Sequence, residues 1–193
     1  MKRIILLAVA VYAFAFNANA QGYEMPDNEV SVNVGYGTHP HLALSFSEVF
    51  LAIIGDAGSD KSTGAYSAMY LRNLNKHFAV GASATYEDIY RISKKENKRY
   101  DQNFITFMPT VRAYWFRGKY FGMYSRAAAG VSLNFYEGFK DGSTSEKQNK
   151  CDTFFAFQLA PVSFEVGSNK VSAFVELGYG FQGFGNAGIR LGF

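Results

Sequence analysis

Six polar side chains stand out because their neighbours are apolar or small: Glu87, Arg112, Arg126, Gln158, Glu176 and Arg190. A carboxylate flanked by guanidinium groups can serve as a general base, which would make Glu176 the proton acceptor. It can equally be one end of a buried ion-pair network. Charges held away from water must be paired or hydrated, and paired networks perturb ionisation without catalysis. The network reading is therefore the expectation, and no catalytic residue is assigned. A hydrolase would need a base beside an activated serine. The three histidines, His39, His41 and His77, do not supply one: His77 falls in a short connection, and His39-Pro40-His41 has no acidic or cysteine neighbour. Two neutral imidazoles rarely hold a metal without further ligands. No phosphate-binding loop or Cys/His cluster is present. The expectation is no enzyme, no cofactor and no metal. Cys151 is the single cysteine, so no intrachain disulfide can form and stability must come from packing and backbone pairing.

The elements that would hold these polar residues are strands. In Phe78 to Glu87 the residues Phe78, Val80, Ala82, Ala84 and Tyr86 alternate with Ala79, Gly81, Ser83, Thr85 and Glu87. In Phe104 to Phe116, Ile105, Phe107, Pro109, Val111, Ala113 and Trp115 oppose Thr106, Met108, Thr110, Arg112 and Tyr114. The same period of two, which marks a sheet with two unlike faces, runs through Glu29 to Gly37, Gly64 to Leu74, Phe121 to Tyr136, Thr153 to Val166, Val171 to Phe181 and the final Asn186 to Phe193. Arg72 interrupts the apolar face of the second segment. Pro109 and Pro161 each remove a ladder donor, so β-bulges or phase shifts are expected at both. The total is eight strands. Long connections, Thr38 to Thr63, Asp88 to Asn103 and Glu137 to Asp152, alternate with short ones at Asn75 to His77, Arg117 to Tyr120 and Gly167 to Lys170; the last long-side connection, near Gln182 to Gly185, is short.

Which face is wet decides the solvent. Packing the bulky Phe, Leu, Val and Tyr alternates inside eight strands would overfill the interior; turning them to lipid removes the conflict. A ten-residue strand about 33 Å long, tilted roughly 45°, rises about 23 Å, close to an apolar band of about 25 Å. Inside a bilayer every backbone polar group must be paired, so the sheet must close. Eight strands fill their lumen with side chains, whereas a water-filled channel needs about sixteen.

The first twenty residues read as a cleaved signal peptide: Lys2 and Arg3, an apolar run from Ile4 to Phe16, then Ala18-Asn19-Ala20 before Gln21. Residues 21–28 form a short lead-in and 29–193 the barrel. Lys2 and Arg3 carry two of the three net positive charges, leaving +1 for residues 21–193. That near-neutral balance argues against a nucleic-acid partner. In the first long connection Leu42, Phe46, Val49, Phe50, Ile53 and Ile54 share a helical face, which predicts a short amphipathic helix over Ser45 to Ile54. Phe46, Val49, Phe50 and Ile53 form its apolar patch, which caps the mouth or meets a surface ligand.

At the end of the chain Asn186, Gly188, Leu191 and Phe193 fit polar-x-Gly-x-x-hydrophobic-x-aromatic. This resembles the terminal signal read by the barrel-assembly machinery of gram-negative outer membranes. With the leader and the strands, the chain resembles the small OmpA/OmpX-type eight-stranded barrels and the porin-like outer-membrane β-barrel proteins. The resemblance implies an all-β, antiparallel up-and-down transmembrane barrel in the cell outer membrane, with outer-membrane lipid, the assembly machinery and periplasmic chaperones as partners. It implies no reaction, because one fold hosts many activities. The expected role is structural or surface-interacting; a narrow pore and a lipid-modifying enzyme are the alternatives.

Overall fold

Each strand alternates between side chains too bulky for a narrow interior and small or polar ones, and closure into a ring sorts the two sets. The computed structural model describes residues 25–42, 59–93, 98–139 and 147–193. Among them run β1 (Asn28–Tyr36), β2 (Ser59–Asn73), β3 (Phe78–Ser93), β4 (Lys98–Arg117), β5 (Phe121–Phe139), β6 (Lys147–Gly167), β7 (Val171–Gly180) and β8 (Gly185–Gly192). They form a closed barrel in chain order, every neighbour antiparallel. β8 returns to β1 in the register Val32↔Ile189 and Asn33↔Gly188. The seam is sealed at its lower end by Asn28 and Phe193, whose N–H groups donate to each other's carbonyls at 2.8 and 2.9 Å.

The inner face carries the polar residues. Ser31, Ser67, Ser83, Thr85, Thr106, Thr110 and Ser132 are buried there together with small apolar groups such as Ala128, Ala156 and Ala160. The outer face carries the bulky ones. One row passes from Val32 through Ala68, Ala84, Phe107 and Val131 to Phe155; Val32, Phe107 and Val131 are each at least half exposed. Leu159, Leu177 and Ile189 continue the exposed belt on β6, β7 and β8. Arg72 faces outward with Tyr66, Tyr70 and Leu74, so it sits on the apolar face of β2 near its lower end without reversing the phase.

Three features differ from the sequence expectation. First, the hairpins β3–β4 and β5–β6 stay paired far beyond the expected strand ends, to Ser93↔Lys98 and Phe139↔Lys147. Residues expected in long connections are instead ladder residues, because backbone pairing continues wherever two chains leave the barrel side by side. β1, β7 and β8 are half as long, so one side of the wall is low. Second, Pro109 causes no register shift: Ala82↔Pro109 pairs in line, and Phe107↔Val131 and Thr110↔Ala128 keep one register across it. A proline whose missing donor falls at one ladder position need not add a residue. Third, the bulges lie elsewhere as well. Besides the expected one at Pro161, between Leu159 and Val162, irregularities fall between Ser62 and Ala65 and between Tyr114 and Phe116. Gly64, at φ 89°, supplies the left-handed conformation the first of these requires.

After β1 the chain is helical at residues 39–42, where the described segment ends, with Leu42 N–H donating to the Thr38 carbonyl at 2.9 Å. The predicted helix Ser45 to Ile54 lies outside the described residues.

Candidate functional site

The inward positions build a polar column in three storeys. At the short-turn end, β1 contributes Glu29, which shares the polar face of that strand with Ser31 and Asn33. Its carboxylate accepts from Arg112 Nη1 of β4 at 2.8 Å, Arg190 Nη1 of β8 at 3.0 Å, Arg117 Nη2 of β4 and Asn73 Nδ2 of β2 at 2.8 Å. Arg190 also reaches Glu165 of β6 at 2.6 Å, and its Nε donates to Ser172 at 2.8 Å. Tyr114 donates to Glu165 at 3.3 Å and accepts from Arg112 at 3.1 Å. The Arg112 and Arg117 guanidiniums stack over the rings of Tyr124 and Tyr114 at 4.4 and 4.1 Å, a favourable use of the ring face in a dry setting.

The middle storey centres on Glu176 of β7. Arg126 of β5 clasps it through Nε, at 2.9 and 3.1 Å, and through Nη2, and Tyr124 donates to it at 2.9 Å. Above it the β7–β8 turn folds inward. Phe181, Gln182 and Gly183 are buried. Gln182 accepts from Arg126 at 2.6 Å and donates to Thr85 of β3 at 3.0 Å. Its N–H reaches Gln158 Oε1 at 2.8 Å, while Gln158 Nε2 donates to the Gly183 carbonyl at 3.0 Å. One residue of a turn thus ties β3, β5 and β6 together across the barrel axis. The fit leaves no space at Gly35: a Cβ there would lie 1.7 Å from the Gln182 carbonyl oxygen.

The top storey is Glu87. It accepts from Thr38 at 2.7 Å and Ser62 at 2.6 Å, which draws the chain leaving β1 across the mouth. His39 then meets the Tyr179 hydroxyl at 2.7 Å and packs against the rings of Phe157, Tyr179 and Phe181.

All six residues singled out in the sequence lie inside, none more than 3 % exposed. They are not one network. Arg112 and Arg190 converge on Glu29, Arg126 and Gln158 gather with Glu176 and Gln182, and Glu87 stands apart with two hydroxyls. Sequence reasoning passed over Glu29, Glu165, Arg117 and Gln182. Glu29 was visible as the polar alternate of its strand. Arg117 and Gln182 were assigned to connections. Glu165 was hidden by the bulge at Pro161, which reverses the alternation after it.

The carboxylates of the column are all engaged, although Arg112 Nε and Arg126 Nη1 are buried without a hydrogen-bond partner among the described residues. Glu29 and Glu176 are occupied by guanidinium donors and Glu165 by Arg190, and Glu87 by hydroxyls, so each carboxylate is fixed where it stands. Among the described residues no three His, Cys, Asp or Glu side chains gather as a metal site would require. Asn186 is buried facing inward, whereas Leu191 and Phe193 are exposed on the outer face and Gly188 lies against Asn33 of β1. Phe46, Val49, Phe50 and Ile53 lie outside the described residues. Cys151 is exposed on the outer extension of β6.

No family model matches the chain, and no curated protein matches it by sequence. Among solved structures the chain is similar to the N-terminal β-barrel domain of Pseudomonas aeruginosa OprF, at 9% identity and a TM-score of 0.42, over 88% of this chain and 100% of that one.

Proposed function

We propose that this chain is an integral outer-membrane β-barrel with a sealed lumen and a structural or surface-interaction role. The observation that carries the reading is the inversion of the usual arrangement: charges and hydroxyls are enclosed, while Val, Leu, Ile, Phe and Tyr side chains encircle the outside. Leaving a large apolar side chain in water instead of an apolar medium costs about 1.5–3 kcal/mol, and a monomer in water rarely exposes a contiguous apolar patch beyond a few hundred Å². Hydrocarbon removes that cost around the whole circumference. The ten residues of β7, tilted by roughly 45°, span about 23 Å of the membrane normal. Outward tyrosines hold polar partners as residues at a headgroup boundary do: Tyr70 with Asn28 at 2.7 Å and Tyr86 with Asn103 at 2.8 Å.

Residues 1–20 serve as the export leader, and Asn186, Gly188, Leu191 and Phe193 as the assembly signal. Phe193→Ala should slow insertion in cells while the purified chain refolds in detergent at wild-type yield; equal insertion rates would remove the signal. The inward turn at Gln182 and the charged storeys beneath it oppose bulk diffusion. Planar-bilayer recording should show no large, steady openings from single chains, and such openings would overturn the sealed-lumen reading.

A further inference from the structure

The three short turns share a composition. Residues 74–77 carry Lys76, residues 118–120 carry Lys119 and residues 168–170 carry Lys170, and none of these turns contains an acid. All three lysines are exposed, and so is Arg72 on the outer face just above. The turns are fixed to the strands beside them: Tyr114 N–H donates to the His77 carbonyl at 2.7 Å, Gly167 N–H to Tyr120 at 3.0 Å and Gly192 N–H to Lys170 at 2.8 Å. The cations therefore occupy one rim of a rigid ring. Among the described residues the exposed acid near them is Asp27, beside β1. Glu29 and Glu165 lie at the same end but are buried within the barrel, where arginines neutralise them. Immediately above the lysines the outer face exposes Tyr70, Trp115, Tyr120 and Phe121. Lys119 Nζ lies 5.2 Å from the centre of the Tyr120 ring.

Aromatic side chains of this kind settle at the headgroup boundary of a bilayer, and lysines beside them extend their ammonium groups outward to the same depth. We propose that this rim is a docking surface for anionic phospholipid headgroups of the leaflet it faces, with Lys76, Lys119, Lys170 and Arg72 as the cationic contacts. Charge complementarity selects the occupant: a zwitterionic headgroup gains little from a rim on which cations outnumber acids, whereas a phosphodiester of net negative charge gains directly. The inference rests on the membrane reading above.

The protein carries its own reporter, since Trp115 is its single tryptophan and stands on this rim. The folded protein would be placed in phosphatidylcholine vesicles containing phosphatidylglycerol, with bromine on the acyl chains of one lipid or the other, and Trp115 fluorescence quenching compared at low salt. The expected result is an enrichment of phosphatidylglycerol at Trp115 of about five-fold, the effect of roughly one lysine at an anionic surface. The triple substitution Lys76→Gln, Lys119→Gln, Lys170→Gln, or added salt in the wild type, should bring the ratio towards one while quenching itself persists. Equal quenching by the two brominated lipids, or an enrichment that neither the substitutions nor salt reduces, would overturn the headgroup assignment and leave the barrel in its membrane. Absence of quenching by either lipid would overturn both readings.

Discussion

Glu29 and Glu176 solve the same problem with different numbers of partners. Glu29 holds three guanidiniums and an amide; Glu176 holds one arginine and a tyrosine. Removing either leaves cations buried without a counter-charge, and breaking a buried pair from one side costs about 3–5 kcal/mol. Glu176→Ala should therefore lower the unfolding temperature of the folded barrel in detergent, read by loss of heat-resistant migration on gels or by circular dichroism. Glu29→Ala should lower it further, because three arginines lose their shared acceptor. An unchanged temperature for both would mean that the storeys contribute nothing to the fold. At this scale the sequence was informative about which residues enter the lumen and uninformative about their partners. Period-two alternation gives the face of a side chain, but the height at which strands meet sets who touches whom, and that depends on tilt and stagger around the ring.

The bulge at Pro161 shows how an element can hide a functional residue. Before it, Phe157 and Leu159 face out while Gln158 and Ala160 face in; after it, Phe164 and Val166 face out while Ser163 and Glu165 face in. A one-residue slip moves every later side chain to the other face. The extra residue therefore places Glu165 beside Arg190 and keeps Phe164 out of the lumen. Deleting Val162 removes the extra residue, restores a continuous alternation and leaves Glu165 facing in, so the variant should refold in detergent. Pro161→Ala keeps the residue count and should refold. If the deletion variant fails to refold, the extra residue does more than set the phase of this strand. The proline hinted at the position of the bulge but not its sense, and Pro109 shows that a proline alone does not demand one. The extended hairpins were equally hard to read, since the charged segments near Lys94 and Lys140 have loop composition while the residues leading to them remain paired.

At the scale of the molecule the fold was legible because two independent patterns agree. Eight alternating segments whose connections alternate between long and short dictate an antiparallel ring, and the excess of bulky residues on one face dictates which side is enclosed. The closure at the mouth was not legible. It depends on a four-residue turn folding inward, and nothing in the composition of residues 181–184 distinguishes that from an ordinary exposed hairpin loop. The result is a barrel whose stability comes from a polar axis and whose solubility is surrendered at its surface, which suits hydrocarbon and no other solvent.

The most direct test of that claim is the collision accessibility of spin labels placed singly at Leu177, Val131 and Ile189 in the folded protein in lipid, with Cys151 replaced by serine. The account predicts ready relaxation by oxygen, which concentrates in hydrocarbon, and almost none by a water-soluble nickel chelate. Labels reached by the nickel chelate, or shielded from both agents as in a packed interior, would contradict it.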